Sequence, residues 1–351
     1  MDPETGKRTY AIIQAEDELA AIGMVLGASW NGARSFTPTS GPGISLMSEF
    51  LGYGYYAEIP AVIFNVQRTG PSTGMPTRTQ QADILSCAYA SHGDTKHVLL
   101  FPADPGECFT MAQAAFDLAE RIQTPVMVLS DLDIGMNDWM VPEFEFDEEK
   151  IPDRGKVLTA EELEEMDAFY RYLDVDGDGI PYRTLPGTHP KGSYFTRGSG
   201  HTRYGAYTEN SADYQDVLDR LLLKWETART LVPEPAIEYS SANKAALLSV
   251  GSSDGACIEA RDRLEKQKIS LNYCRAKAFP FSESIKEFIE RHEVVYVVEQ
   301  NRDAQLRTLL MLDCDADPAK LVQLLHYNGM PINAGFIVNG VLKEMMKGRA
   351  A

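Results

Sequence analysis

The sequence is short of positive charge. Among 351 residues, 33 Lys and Arg face 51 Asp and Glu, a formal net charge of −18. Phosphate backbones are bound by clustered cations, so a nucleic-acid partner is excluded, and an anionic membrane surface on the same ground. No apolar run approaches the roughly 20 residues that span a bilayer, and Met1–Tyr10 is polar, without the basic-then-apolar order of an export signal. The expectation is a soluble, cytoplasmic protein. Five cysteines (Cys87, Cys108, Cys257, Cys274, Cys314) are scattered, none at the two-residue spacing of zinc or iron–sulfur ligands. Free, mostly buried thiols follow. Missing too are a Gly-x-Gly-x-x-Gly turn after a strand, a Walker A loop and a Gly-x-Ser-x-Gly elbow, which removes the support for dinucleotide, nucleoside-triphosphate and serine-hydrolase chemistry.

What is present is alternation. The length suits two domains and a connecting segment. Thr9–Gln14 is a short apolar run, and Asp17–Trp30 has helical spacing with acids at its start. Arg34–Thr37 reads as a brief strand and Ile44–Tyr56 as a helix. Ala61–Val66 and Pro125–Leu129 are continuous apolar runs, the pattern of strands buried on both faces, and Gly106–Arg121 is amphipathic. Val141–Tyr170 holds eleven acids and three bases, a solvated connector, and Asp174–Asn210 is rich in Gly, Pro, Thr and Tyr with little periodicity. Ala212–Arg229 is helical. Strands at Ala245–Val250, Ile269–Tyr273 and Val294–Val298 then alternate with helices at Ala256–Gln267, Glu283–Arg291 and Gln305–Leu312. The fold class is α/β with parallel sheets and helices on both faces.

Three segments carry candidate chemistry. Asp174-Val175-Asp176-Gly177-Asp178-Gly179 imitates the first half of a calcium loop, but Leu185 stands where that loop needs glutamate. The segment Gln67–Gln81 follows a buried strand, the position where open parallel sheets bind ligands. It offers Arg68, Arg78, several hydroxyls and glycines that let backbone approach a ligand. Either it is a binding loop, with an arginine fork for a carboxylate, or it is a polar connection whose arginines pair with nearby acids. Glu18 lies in the first turn of an otherwise apolar helix. It either complements the helix dipole beside Glu16 and Asp17 or turns inward.

Longer motifs resolve into a resemblance. Gln14–Gly23, Thr39–Gly43 and the Arg68–Gln81 loop resemble the α subunit of 2-oxoacid:ferredoxin oxidoreductases. Asp178–Gly187 and Ser193–His201 are most similar to the 2-oxoglutarate branch, and Val298–Asn301 with Gln305-Leu306 extends the likeness over nearly the whole chain. The resemblance implies a thiamine diphosphate enzyme divided among subunits. Residues 1–140 would form the pyrimidine-binding domain, 141–235 an acidic connector, and 236–351 a transketolase C-terminal-like domain. A β subunit would carry the diphosphate, its Mg2+ ion and a 4Fe–4S iron–sulfur cluster. Coenzyme A would take the acyl group, and ferredoxin would dock mainly on another subunit, since an acidic chain repels an acidic carrier.

By the same resemblance Glu18 matches the glutamate that hydrogen-bonds the aminopyrimidine ring and favours its imino tautomer. Arg68 matches the arginine that holds the 2-oxoacid carboxylate, and Thr77 a loop threonine near the substrate. The distal carboxylate of 2-oxoglutarate needs its own cation, with Arg78 and Arg197 as candidates. The alternatives are a branched-chain or general 2-oxoacid substrate, or a non-catalytic scaffold. Two departures stand out. Only thirteen residues precede Gln14, where family members carry a strand and a Tyr-Pro-x-Thr-Pro turn, so either a separate chain supplies that segment or a γ domain as partner, or the chain is shortened. Ala304 stands where the family shows glycine.

Overall fold

The computed structural model describes residues 5–147, 149–240 and 244–348. Among these residues ten strands form two five-stranded sheets. The first contains β1 (Phe36–Thr39), β2 (Ala61–Gln67), β3 (Val98–Leu100) and β4 (Pro125–Asp131). The second is built from β5 (Ala236–Glu238), β6 (Ala245–Val250), β7 (Asn272–Ala276), β9 (Val294–Glu299) and β10 (Leu321–Leu325), while β8 (Ala278–Phe279) crosses back into the first. The orders are β1-β2-β4-β3-β8 and β10-β9-β6-β7-β5. Every pairing is parallel except β3 with β8 and β5 with β7. The α/β expectation with parallel sheets is borne out.

Side-chain chemistry explains the placement. β2 and β4 lie side by side in the first sheet, and their Val, Ile, Leu and Met residues, all but Val66, are buried. The helix Glu18–Trp30 starts where the Asp17 carboxylate accepts the Ala20 N–H at 2.7 Å, and turns Ile22, Val25 and Leu26 into the core. The helix Pro105–Ile122 is capped in the same way by Asp104 and packs on β2 and β4. One continuous apolar cluster runs from Ile22 to Leu321 through both sheets, and a second fills the far face of the C-terminal sheet.

Several elements differ from the sequence reading for identifiable reasons. The brief strand lies two residues later than expected, over Phe36–Thr39, and its Pro38 is tolerated because β1 is a sheet edge. The expected helix Ile44–Tyr56 is two helices, Gly41–Leu46 and Ser48–Tyr56, hinged at Met47. The strand expected at Ile269–Tyr273 is β7, three residues on. Its Asn272 and Arg275 do not look like strand residues, yet both are buried and paired, Asn272 with His292 Nε2 at 2.8 Å and Arg275 with Glu107 at 2.6 and 2.7 Å. Thr9–Gln14 has no regular structure and is mostly exposed.

The connector is anchored rather than loose. Its helix Ser211–Arg229 sends Trp225 and Ala228 into the main core. Arg220 and Lys224 reach the fully buried Glu58 carboxylate at 2.5 and 2.8 Å, and Arg171 donates to the Glu58 carbonyl at 2.8 Å. Burial alone would raise the Glu58 carboxyl, but Arg220 and Lys224 overcome it and hold the group well below its ordinary range. The cysteines are free, and all but Cys108 are buried.

Candidate active-site cleft

At the carboxyl end of β2 the chain leaves the sheet through Arg68 and enters a closed loop. Thr69 makes an isolated bridge with Met75, and its N–H donates to Arg78 O at 2.9 Å. The Thr69 hydroxyl donates to Arg78 O and Thr79 O at 3.1 and 3.2 Å. Gly74 has a left-handed φ of +53°, and a Cβ there would lie 1.9 Å from Thr69 O, so only glycine closes this turn. The loop base is fixed while its tip, 71–78, is exposed.

Between this loop, the Gly41-Pro42 turn and the 301–305 turn of the second sheet lies a cleft of about 500 Å³. Arg68 lines it. No carboxylate among the described residues lies within ion-pair distance of its guanidinium, and its Nε is buried without a partner. The reading of Arg68 as half of a local ion pair is therefore not supported. Behind it, Asp83 accepts from Asn65 Nδ2 at 3.1 Å. Burial pushes the Asp83 carboxyl up, against the pull of Asn65 and Arg68. The Asn65 Oδ1 atom is buried and unpartnered.

Glu18 lies on the other side of the Gly41–Gly43 turn and does not line this cleft. A Cβ on Gly43 would come within 1.8 Å of Thr39 Oγ1 and 3.0 Å of Glu18 Oε1, so the glycine makes the space in which the Glu18 side chain crosses the turn. Glu18 is half-buried, and no donor among the described residues bonds its carboxylate. Thr77 sits on the exposed loop tip, where its carbonyl accepts from Arg78 Nη1 at 3.3 Å, and it does not line the cleft. The structure thus puts Arg68 in the cleft, Glu18 beyond its wall and Thr77 outside it.

Neither candidate for a second cation lines the cleft. Arg78 packs its Cβ against Gly329, and Arg197 lies in the connector, 4.5 Å over the Phe195 ring, donating to Gly205 O at 3.0 Å. The cleft residues not singled out from sequence are Asp83, Arg302 and Tyr327. Asp83 had one available signal, an acid set directly before a buried Ile84.

Beside the cleft the two sheets are joined by a buried polar junction. Asp131 Oδ2 accepts from Gln81 Nε2 at 2.9 Å and from the Ser252 hydroxyl at 2.6 Å, while its Oδ1 accepts the N–H groups of Asp133 and Ile134. Gln300 donates to Ser252 and Ser253 at 2.9 and 3.1 Å, and Asn301 Nδ2 donates to Gln81 O at 3.0 Å. Glu299 accepts the N–H groups of Leu306 and Arg307 and so fixes the start of the helix Gln305–Asp313.

The calcium-like triad holds a cation of its own. Lys156 Nζ lies 2.6 Å from Asp176, 2.7 Å from Asp178 and 2.8 Å from Ile180 O, and the Asp174 carboxylate accepts backbone N–H groups of its own loop. The acids are thus satisfied within the chain.

A family model, Pyruvate flavodoxin/ferredoxin oxidoreductase, thiamine diP-binding, matches residues 2–171. The 2-oxoglutarate synthase subunit KorA of Archaeoglobus fulgidus is 32% identical over 86% of this chain and 78% of its own length. The chain belongs to the 2-oxoacid:ferredoxin oxidoreductase α-subunit family. A second KorA, of Methanothermobacter thermautotrophicus, is 32% identical over 82% of this chain and 75% of its own. The family resemblance read from the sequence is borne out. The α subunit of the 2-oxoacid:ferredoxin oxidoreductase of Saccharolobus solfataricus is 33% identical over 99% of this chain but only 55% of its own length, so the chain spans about half of that relative. Among solved structures, the 2-oxoglutarate:ferredoxin oxidoreductase of Magnetococcus marinus, which contains 2-oxoglutarate, coenzyme A and succinyl-CoA, superposes with a TM-score of 0.87 at 29% identity, over 95% of this chain and 57% of that one. A split-gene transketolase shares the fold, with a TM-score of 0.53 at 12% identity, over 94% of this chain and 81% of its own. Among the described residues no helix is long and apolar enough to cross a membrane.

Proposed function

We propose that this chain is the catalytic α-type subunit of a thiamine-dependent 2-oxoglutarate:ferredoxin oxidoreductase. The observation that carries the reading is the Arg68 guanidinium. It lines an interdomain cleft without a carboxylate partner, at the carboxyl end of a buried parallel strand. An arginine left this way suits a substrate carboxylate. The KorA relatives and the Magnetococcus enzyme favour 2-oxoglutarate as that substrate.

The cofactor cradle fits the Glu18 side. Gly43 clears the path for a carboxylate that no described residue satisfies, which leaves it free to accept an N–H bond from the aminopyrimidine ring. When bound, thiamine diphosphate supplies the carbon nucleophile and the electron sink for decarboxylation. Glu18 would hold a proton at a nitrogen of the aminopyrimidine ring. Arg68 orients the 2-oxoacid by its carboxylate. By the family resemblance Thr77, on the exposed loop tip, would contact the substrate. In sum, 2-oxoglutarate and coenzyme A give succinyl-CoA and carbon dioxide, and two electrons leave singly to ferredoxin.

Residues 1–140 serve as the pyrimidine-binding domain, 141–235 as connector and 236–351 as the transketolase C-terminal-like domain. A β-type subunit holds the diphosphate, Mg2+ and the iron–sulfur cluster, and receives ferredoxin. The test is Glu18→Gln in the assembled complex. Turnover should fall at least about 100-fold, and thiamine diphosphate should bind more weakly by calorimetry while the subunits still assemble. Full turnover in Glu18→Gln would identify the chain as a scaffold.

A further inference from the structure

A dicarboxylic 2-oxoacid presents two anionic ends, and the cleft holds two guanidiniums. Arg68 stands on the wall formed by the first sheet. Arg302 stands on the opposite wall, in the turn that follows β9 of the second sheet. They are the cleft's only Lys or Arg residues among the described ones; Arg197 lies in the connector over the Phe195 ring, and Arg78 stands on the exposed loop tip, where its Nη1 donates to the Thr77 carbonyl at 3.3 Å. We propose that Arg302 is the specificity residue that binds the distal carboxylate of the substrate. This rests on the reading of the cleft as the 2-oxoacid site.

The mounting of Arg302 suits the task. Its neighbour Asn301 is fully buried, donating to Gln81 O at 3.0 Å and Glu299 Oε2 at 2.9 Å and accepting the Gln305 N–H at 3.1 Å. Two residues on, Ala304 holds a left-handed φ of +52°. The backbone beneath Arg302 is therefore tightly specified, while the side chain is exposed. At present the guanidinium makes a two-pronged pair with its own neighbour, Asp303, at 2.7 and 3.0 Å. Both partners are exposed, 72% and 62%, and an exposed pair of adjacent residues contributes little. A substrate carboxylate entering the cleft takes the place of Asp303 at small cost and keeps the same fork geometry. Tyr327, also on the cleft, adds aromatic surface for the methylenes of such a substrate.

The test uses the assembled complex with 2-oxoglutarate and the monocarboxylic 2-oxobutyrate as paired substrates. Arg302→Gln should raise KM for 2-oxoglutarate about 10- to 100-fold and shift the kcat/KM ratio toward 2-oxobutyrate by the same factor. Arg302→Lys should recover part of that loss. Asp303→Asn, which removes the competing carboxylate, should lower KM for 2-oxoglutarate by about two- to fivefold. An unchanged substrate ratio in Arg302→Gln would overturn the proposal. So would a rise confined to KM for coenzyme A, since the guanidinium would then serve that molecule's phosphates. Arg68→Gln separates the two levels of the argument. If it leaves the turnover of both 2-oxoacids intact, the cleft is not the 2-oxoacid site at all. If it impairs both while Arg302→Gln spares the ratio, only the assignment of Arg302 fails.

Discussion

Two polar regions stand side by side, and they are built on opposite rules. In the junction, Asp131 takes four hydrogen bonds, and Gln81, Ser252, Ser253 and Asn301 are all engaged. Gln300 Oε1 is its one buried atom left open among the described residues. In the cleft region, Arg68 Nε and Asn65 Oδ1 are buried without partners among the described residues, and beyond the cleft wall no described donor bonds the Glu18 carboxylate. Burying polar groups costs free energy unless they are paired. The junction offsets that cost within the chain and so acts as structure. The cleft leaves it outstanding, and a ligand with the complementary groups removes it.

The comparison breaks most visibly at Arg68. Because no carboxylate among the described residues lies within ion-pair distance of this guanidinium, Arg68→Gln breaks no ion pair and removes only a longer-range pull on Asp83. The thermal midpoint should move by no more than about one degree. The kcat/KM for the 2-oxoacid should fall about 100-fold or more, the cost of losing a charged partner for a buried carboxylate. A large loss of stability with activity preserved would place Arg68 with the junction.

The junction should show the reverse. Asp131→Ala strips partners from Gln81 and Ser252 and removes the cap from the helix Leu132–Met136. The expected cost is about 2–4 kcal/mol, read from the shift in urea midpoint. Since Gln81 ends the loop that follows β2 and also meets the second sheet, the same change should loosen 71–78, measurable as faster amide exchange there than in β2. A stability change below about 1 kcal/mol would mean that the junction is dispensable.

Sequence patterning reached these two regions unequally. Ala61–Val66 and Pro125–Leu129 could be read because strands buried on both faces must be continuously apolar. Arg68 then followed from its position just past such a strand. β3 and β8, of three and two residues, leave no pattern to read. The junction was hidden for a different reason. Gln81 and Asn301 are 220 residues apart, and neither residue type signals burial by itself. Arg302 was missed in the same way, since its role depends on which wall faces Arg68. The glycine that the family resemblance leads one to expect at position 304 does have a local explanation. Ala304 adopts a left-handed φ, which glycine accepts without strain.

The smallest effect lies at the edge of the junction, where Asp133 meets Asp131. Burial, and then the neighbouring Asp131 charge, raise the Asp133 carboxyl to about 6 from an ordinary 3.8. A raised acid binds its proton more tightly when folded. Its contribution to stability is complete below the unfolded value and disappears as pH rises through about 6. Asp133→Asn cannot ionise and keeps an oxygen for Asn137 Nδ2. Because Asp133 is only half-buried, solvent screening keeps the effect small. The variant should melt about one to two degrees above the parent at pH 7.5, and the advantage should shrink as pH falls through about 6 and vanish below about pH 3.8. An advantage that persisted unchanged at low pH would locate its cause outside this ionisation. Asp131→Ala should shrink the pH dependence by removing the second charge, which ties Asp133's titration to the junction rather than to the solvent-facing loop.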